Sequence, residues 1–137
     1  LLGRRQRQMC IRDSQYADLA EIYEADDNYE PGTVVVFGGD KEVTTTSVLA
    51  DHRVAGVIST DPAYMMNAGS EGQYVALTGR VPCKVVGPVV KGDLLVSAGV
   101  KGHAKADNDA KPGRIIGKAV GSLDAGEGII EVLVNMM

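Results

Sequence analysis

The run Val54-Ala55-Gly56-Val57-Ile58 constrains the fold more than any other part of this chain. Five apolar residues are too few for a helix, and their β-branched content favours a strand buried on both faces. Gly56 within it leaves room for a second backbone to come close. Ser59-Thr60-Asp61-Pro62 ends the run, because proline fixes φ and offers no ladder donor. The apolar patch at 63–66 is expected to fold back over the strand end as one helical turn.

The rest of the chain reads as short strands laid around this one. Residues 33–37 form a strand, Gly38-Gly39-Asp40-Lys41 a hairpin turn and 42–46 the return strand. Before them, Glu30-Pro31-Gly32 is a turn with proline pre-set at its second position. A polar loop at 47–52 leads into the central strand, and a second loop spans 68–73. Strands follow at 74–78 and 80–86, where Pro82 demands an edge or a bulge. Residues 15–27 are ambiguous. Tyr16, Leu19, Ala20 and Tyr23 recur at helical spacing, while simple alternation places Ala17, Leu19, Glu21 and Tyr23 on one strand face. With no Trp and one Phe, the core has to be assembled from small β-branched side chains, and seventeen glycines imply many tight turns. The expected fold is all-β, a small barrel or sandwich with a short N-terminal helix or strand. No apolar stretch approaches the roughly 18–20 residues of a membrane-spanning helix.

A second cycle follows the first. Gly92-Asp93-Leu94-Leu95-Val96-Ser97-Ala98-Gly99 has the pattern of Gly32-Thr33-Val34-Val35-Val36-Phe37-Gly38-Gly39. Arg114-Ile115-Ile116-Gly117-Lys118-Ala119 repeats Arg53-Val54-Ala55-Gly56-Val57-Ile58. Glu127-Gly128-Ile129-Ile130-Glu131-Val132-Leu133-Val134 matches Glu71-Gly72-Gln73-Tyr74-Val75-Ala76-Leu77-Thr78. Three matches in the same order predict a duplicated β-unit, about 30–80 and 90–135, whose two copies bury their apolar faces together within one domain at 15–137.

The N-terminus stands apart. Residues 4–14, from Arg4 to Ser14, back-translate codon for codon to a string that resembles the read-one adapter and transposase end of tagmentation sequencing libraries. Residues 1–14 are therefore expected to be adapter-derived or disordered, with the genuine chain starting near Gln15 as the C-terminal part of a longer protein. Without Arg4, Arg5, Arg7, Arg12 and Asp13, the 14 basic and 18 acidic residues become 10 and 17, a net charge of −7 rather than −4. An acidic domain without a basic patch argues against nucleic-acid binding. Excluding Cys10 also leaves Cys83 alone, without a partner for an intrachain disulfide.

Candidate chemistry is sparse. Cys83 lies inside a strand, and a nucleophile there needs a histidine in reach and an open, electropositive setting. A small core hydrophobe is the better reading. His52 beside Asp51, and His103, lack the ligand spacing of a metal site. Ser59-Thr60-Asp61 reads as turn chemistry, and the acidic run Asp18, Glu21, Glu24, Asp26, Asp27, Glu30 as a solvated face. No cofactor and no metal is expected. The chain has few large apolar residues, yet carries an apolar-aromatic segment at Tyr16, Leu19, Ile22 and Tyr23 and an apolar end including Leu133 and Met136. These six residues are the expected oligomer interface.

A wider pattern is carried by Tyr16-Ala17-Asp18-Leu19-Ala20-Glu21-Ile22-Tyr23, by residues 29–39 and 54–67, and by Leu77-Thr78-Gly79-Arg80-Val81-Pro82-Cys83-Lys84-Val85-Val86-Gly87-Pro88 and Val90-Lys91-Gly92-Asp93-Leu94-Leu95-Val96. Together they resemble the C-terminal module of bacteriophage and prophage tail-fibre or structural proteins. The first half is also distantly similar to the autoproteolytic intramolecular-chaperone domain of phage neck-appendage proteins. The resemblance implies a homo-oligomer, a trimer, at the end of a fibre shaft of the same protein. It also implies a place in the virion after synthesis in the host cytoplasm, and release by self-cleavage in the full-length protein. A receptor-binding tip that meets a host cell-surface receptor is the alternative. In the autoproteolytic relatives the cut lies N-terminal to the module; Asp13-Ser14 resembles such a pair but falls in the adapter-derived stretch, so no cleavage residue carries over.

Overall fold

A computed structural model of the chain describes residues 18–59, 64–65 and 72–135. Ten strands occur among them and no helix: β1 Asp18–Tyr23, β2 Val34–Phe37, β3 Val43–Thr44, β4 Val54–Ser59, β5 Tyr64–Met65, β6 Gln73–Val86, β7 Leu94–Ser97, β8 Ala104–Ala106, β9 Gly117–Ala119 and β10 Glu127–Asn135. Five of them close into a barrel, β6-β10-β9-β7-β8 and back to β6, where Val85 meets Ala104 in parallel. The remaining strands are appended to β6. On it lie β4, then β2, then β3, and β1 runs antiparallel to its first half.

The apolar run Val54–Ile58 is the buried strand β4, covered on both faces. Val54 and Val57 join the barrel cluster with Val34, Val36, Val81, Cys83, Val85, Leu95 and Ile116. Ala55 and Ile58 belong to a second cluster with Val35, Val43 and Val75, capped by half-buried Tyr23, Tyr29 and Leu77. A shift in the β2–β4 register between Val35 and Val36 accommodates this division. The barrel cluster contains no aromatic side chain. Its stability comes from many small groups, each worth about 1.5–3 kcal/mol when fully buried.

The pairings in the two halves correspond. Val35 opposes Gly56 as Leu95 opposes Gly117; β3 returns along β2 as β8 returns along β7; β4 lies antiparallel to β6 as β9 does to β10. The entry turns match too. Thr33 N donates to Glu30 O across Pro31-Gly32, and Asp93 N donates to Val90 O across Lys91-Gly92. Gly32 and Gly92 stand at φ 90° and 95°, which the third position of such a turn requires. In the third matched block the structural register is one residue off the sequence alignment. A Cβ on Gly56 would meet the carbonyl of Ala76, and one on Gly117 that of Leu133, whereas the alignment pairs Leu133 with Leu77.

Three local expectations are corrected. Within the apolar patch at 63–66, Tyr64–Met65 is a strand, pairing in parallel with Leu19 and Ala20 rather than turning as a helix. The helical spacing in 15–27 gives way to strand β1, because the edge of β6 offers it a ladder from Gln73 to Gly79. The two strands expected at 74–78 and 80–86 are one, β6, fourteen residues long. Pro82 interrupts nothing. It opposes Glu131 of β10, but its nitrogen points to the same side as that of Lys84, which donates 2.9 Å to Gly32 O, away from β10. The β10 ladder therefore loses no donor.

Candidate functional site

The six residues expected at an interface fall into four groups. Tyr16 and Met136 lie outside the described residues. Ile22 is a correction: it is buried, 4% exposed, so the chain itself already covers it. The same holds for Ile130, Val132 and Val134, whose side chains alternate inward along β10 into the barrel. Leu19 and Tyr23 are half-buried. Of the four that are described, only Leu133 is openly exposed, at 46%, and Ile129, four positions earlier on β10, is 61% exposed.

Strand alternation sets what surrounds these two side chains. Ile129, Glu131 and Leu133 point outward from β10, opposite Lys84, Pro82 and Arg80 of β6. Lys118 of β9 lies opposite Leu133 on the other side and is exposed. Two ion pairs lie on this face. The Arg80 guanidinium donates to Glu131 Oε1, its Nε at 2.9 Å. Lys84 Nζ lies 2.7 Å from Glu30 Oε1, and this contact holds the Glu30 carboxyl below its usual range.

A second apolar patch has the opposite surroundings. Tyr23 and Phe37 meet edge to face, ring centroids 5.4 Å apart. Burial, then the charge of Glu21 and its hydrogen bond, then the charge of Glu42, raise the Tyr23 hydroxyl above its ordinary pKa. Glu42 Oε1 also accepts from Glu24 N at 2.8 Å.

Between 26–30, β3 and the 101–102 turn lies an open polar cleft of about 470 Å³. Tyr29 and Thr44 both donate hydroxyl hydrogen bonds to Asp26, which hold its carboxyl below the usual range. An apolar groove of about 370 Å³ runs between Leu49, Val86, Pro88, Ala98 and Val100.

One group was not legible in the sequence. Asp51, in a loop read only as polar, is 3% exposed. It accepts from Thr46 Oγ1 at 2.7 Å, from Arg53 N at 2.9 Å, and from Arg53 Nε and Nη2 at 3.1 and 2.8 Å. Its own N–H donates to Ser97 Oγ, and that hydroxyl in turn donates to Val48 O. The Arg53 guanidinium first, then the Arg53 N–H and the Thr46 hydroxyl, hold the carboxyl well below the usual carboxylate range. The network ties the 46–53 loop to β7.

The candidates for chemistry are not brought together. Cys83 is wholly buried in the barrel, and burial alone pushes its thiol up to about 12, so no thiolate is available. His103 sits 3.6 Å from Glu127, and His52 is exposed. Ser59 ends β4, while Thr60 and Asp61 lie outside the described residues. Among the described residues no group of three or more His, Cys, Asp or Glu is placed to hold a metal ion. A thiol reagent should therefore leave the native Cys10→Ser chain unmodified and react with one thiol only on unfolding. Stoichiometric labelling of Cys83 under native conditions would contradict this placement.

No protein-family model matches this chain, and no curated protein matches it.

Proposed function

We propose that this chain is the C-terminal assembly module of a phage tail-fibre-like protein, bringing the fibre chains together as a trimer and in register. The observation that carries the reading is the exposure of two apolar side chains, Ile129 and Leu133, on a sheet face where Glu131 and Lys84 are already paired within the chain. Exposed apolar side chains that share a face with internally paired charges suit association. The residues that resemble fibre modules give the assembly its context, and the small-residue barrel gives the reason. A core of valines and alanines gains stability when symmetric copies remove further surface from water. Light scattering on the full chain at micromolar concentration should return three chain masses. A monomer mass across that range would sink the assembly reading.

A second reading, a receptor-binding tip, is favoured by the groove bordered by Leu49 and the hollow beside Ala50, Asp107 and Asp109, both on loops that leave the barrel. It requires saturable binding of the labelled chain to intact bacterial cells, reduced by Leu49→Asp.

A further inference from the structure

We infer that the outer face of β6 and β10, centred on Ile129 and Leu133, is where a second copy of this chain docks, and that the Tyr23–Phe37 end stays in solvent in the assembly. This rests on the assembly reading above and deepens it by choosing between two apolar patches.

Charge decides the choice. The chain carries a net charge of −4, so copies repel unless the touching surfaces are locally neutral. At the Tyr23–Phe37 end, the charges of Glu21 and Glu42 act on the Tyr23 hydroxyl, and Glu42 Oε1 is held on Glu24 N at 2.8 Å. Bringing two such ends together sets carboxylates of the same sign near one another, which like-charge repulsion opposes. On the β10 face, Glu131 lies between Ile129 and Leu133 in sequence, and Arg80 on the neighbouring strand already neutralises it. Lys84 is taken by Glu30. Lys118 is a cation at the rim, facing an otherwise acidic partner. Docking here therefore covers apolar surface without stranding a buried charge, which is what a stable interface core requires. Register keeps the two patches apart. Tyr23 lies opposite Gln73 and Leu133 opposite Arg80, seven residues along β6, or about 23 Å.

Sedimentation velocity on the full chain tests this with Ile129→Asp/Leu133→Asp and Phe37→Asp. The wild type should sediment as an oligomer, and still do so in about 0.5 M salt, where exposed charge attraction is screened. The β10 double variant should fall to monomer mass with its far-ultraviolet strand signal intact, while Phe37→Asp keeps the wild-type mass. If the double variant fails to fold, Ile129→Thr/Leu133→Thr, which retains strand propensity, takes its place under the same criterion. An oligomer that survives the β10 changes, or that only Phe37→Asp dissolves, overturns the assigned face and leaves the assembly reading standing. A monomeric wild type overturns both.

Discussion

Gly117→Ala is expected to be among the most damaging single-methyl changes in this chain. A Cβ built at that position would stand 2.0 Å from the carbonyl oxygen of Leu133, and one at Gly56 would stand 2.3 Å from that of Ala76. Both oxygens belong to strands anchored by long ladders, so neither can retreat as a flexible side chain would. The sheet would have to separate between β9 and β10, opening the barrel. Overpacking a core with one methylene costs about 1–3 kcal/mol where side chains can adjust. Against fixed backbone the cost should reach at least about 3 kcal/mol, a large part of the stability of a domain this size. Gly113→Ala is the control, since nothing lies within 4 Å of its Cβ position although its φ is 90°. Its cost is about 1 kcal/mol, from the left-handed backbone alone. Denaturant midpoints compare the two directly. Equal midpoints would show that β9 and β10 are not in the close contact described.

Asp51→Ala should be the second large effect, and the one with a pH signature. Removing the carboxylate leaves the Thr46 hydroxyl and the Arg53 N–H groups without their acceptor in a site that is almost wholly buried on the aspartate side. Arg53 itself is 45% exposed and can turn to water, which moderates the loss. An expected cost of about 2–3 kcal/mol follows, or roughly 10 °C in melting temperature. The carboxyl is held below its unfolded value of about 3.9, so its contribution is complete above that pH. It is lost as pH falls below about 4 toward the folded-state value. The wild type should therefore lose stability as pH falls from about 4 to about 2 more steeply than Asp51→Ala or Asp51→Asn. Parallel pH profiles for wild type and both variants would remove Asp51 from the account of this loop.

What the sequence showed, and what it hid, follows from the range of the interactions involved. The strand at Val54–Ile58 was legible because its burial is written in five consecutive residues. Gly56 was legible as a close-approach point, although only the fold identifies the atom that approaches, the carbonyl of Ala76. The Pro31-Gly32 turn is local chemistry and came through intact. Tyr64–Met65 did not, because its two residues gain strand geometry from Leu19 and Ala20, more than forty positions earlier. Asp51 was hidden for the same reason. Its partner Ser97 is 46 residues away, and a single acid in a polar loop carries no sign of being buried. Ile22 shows the remaining limit. Apolarity marks a side chain as covered, but it does not say whether the cover comes from the same chain.

The length of β6 has a consequence for how this molecule forms. Its first half is paired by β1 and β4, its second half by β10, and these are different stages of the chain. Val86 waits for Glu127, and Thr78 for Asn135, at separations of 41 and 57 positions. Such distant pairings close large loops before they return any stability, which makes them slow steps. A ribosome that has released β6 but not yet β10 holds a chain whose longest strand has a satisfied half and an open half. Barrel closure is thus a late event, withheld until the second set of strands has been made. Until then, the strand edge that will receive β10 is also the edge through which neighbouring nascent chains can pair wrongly.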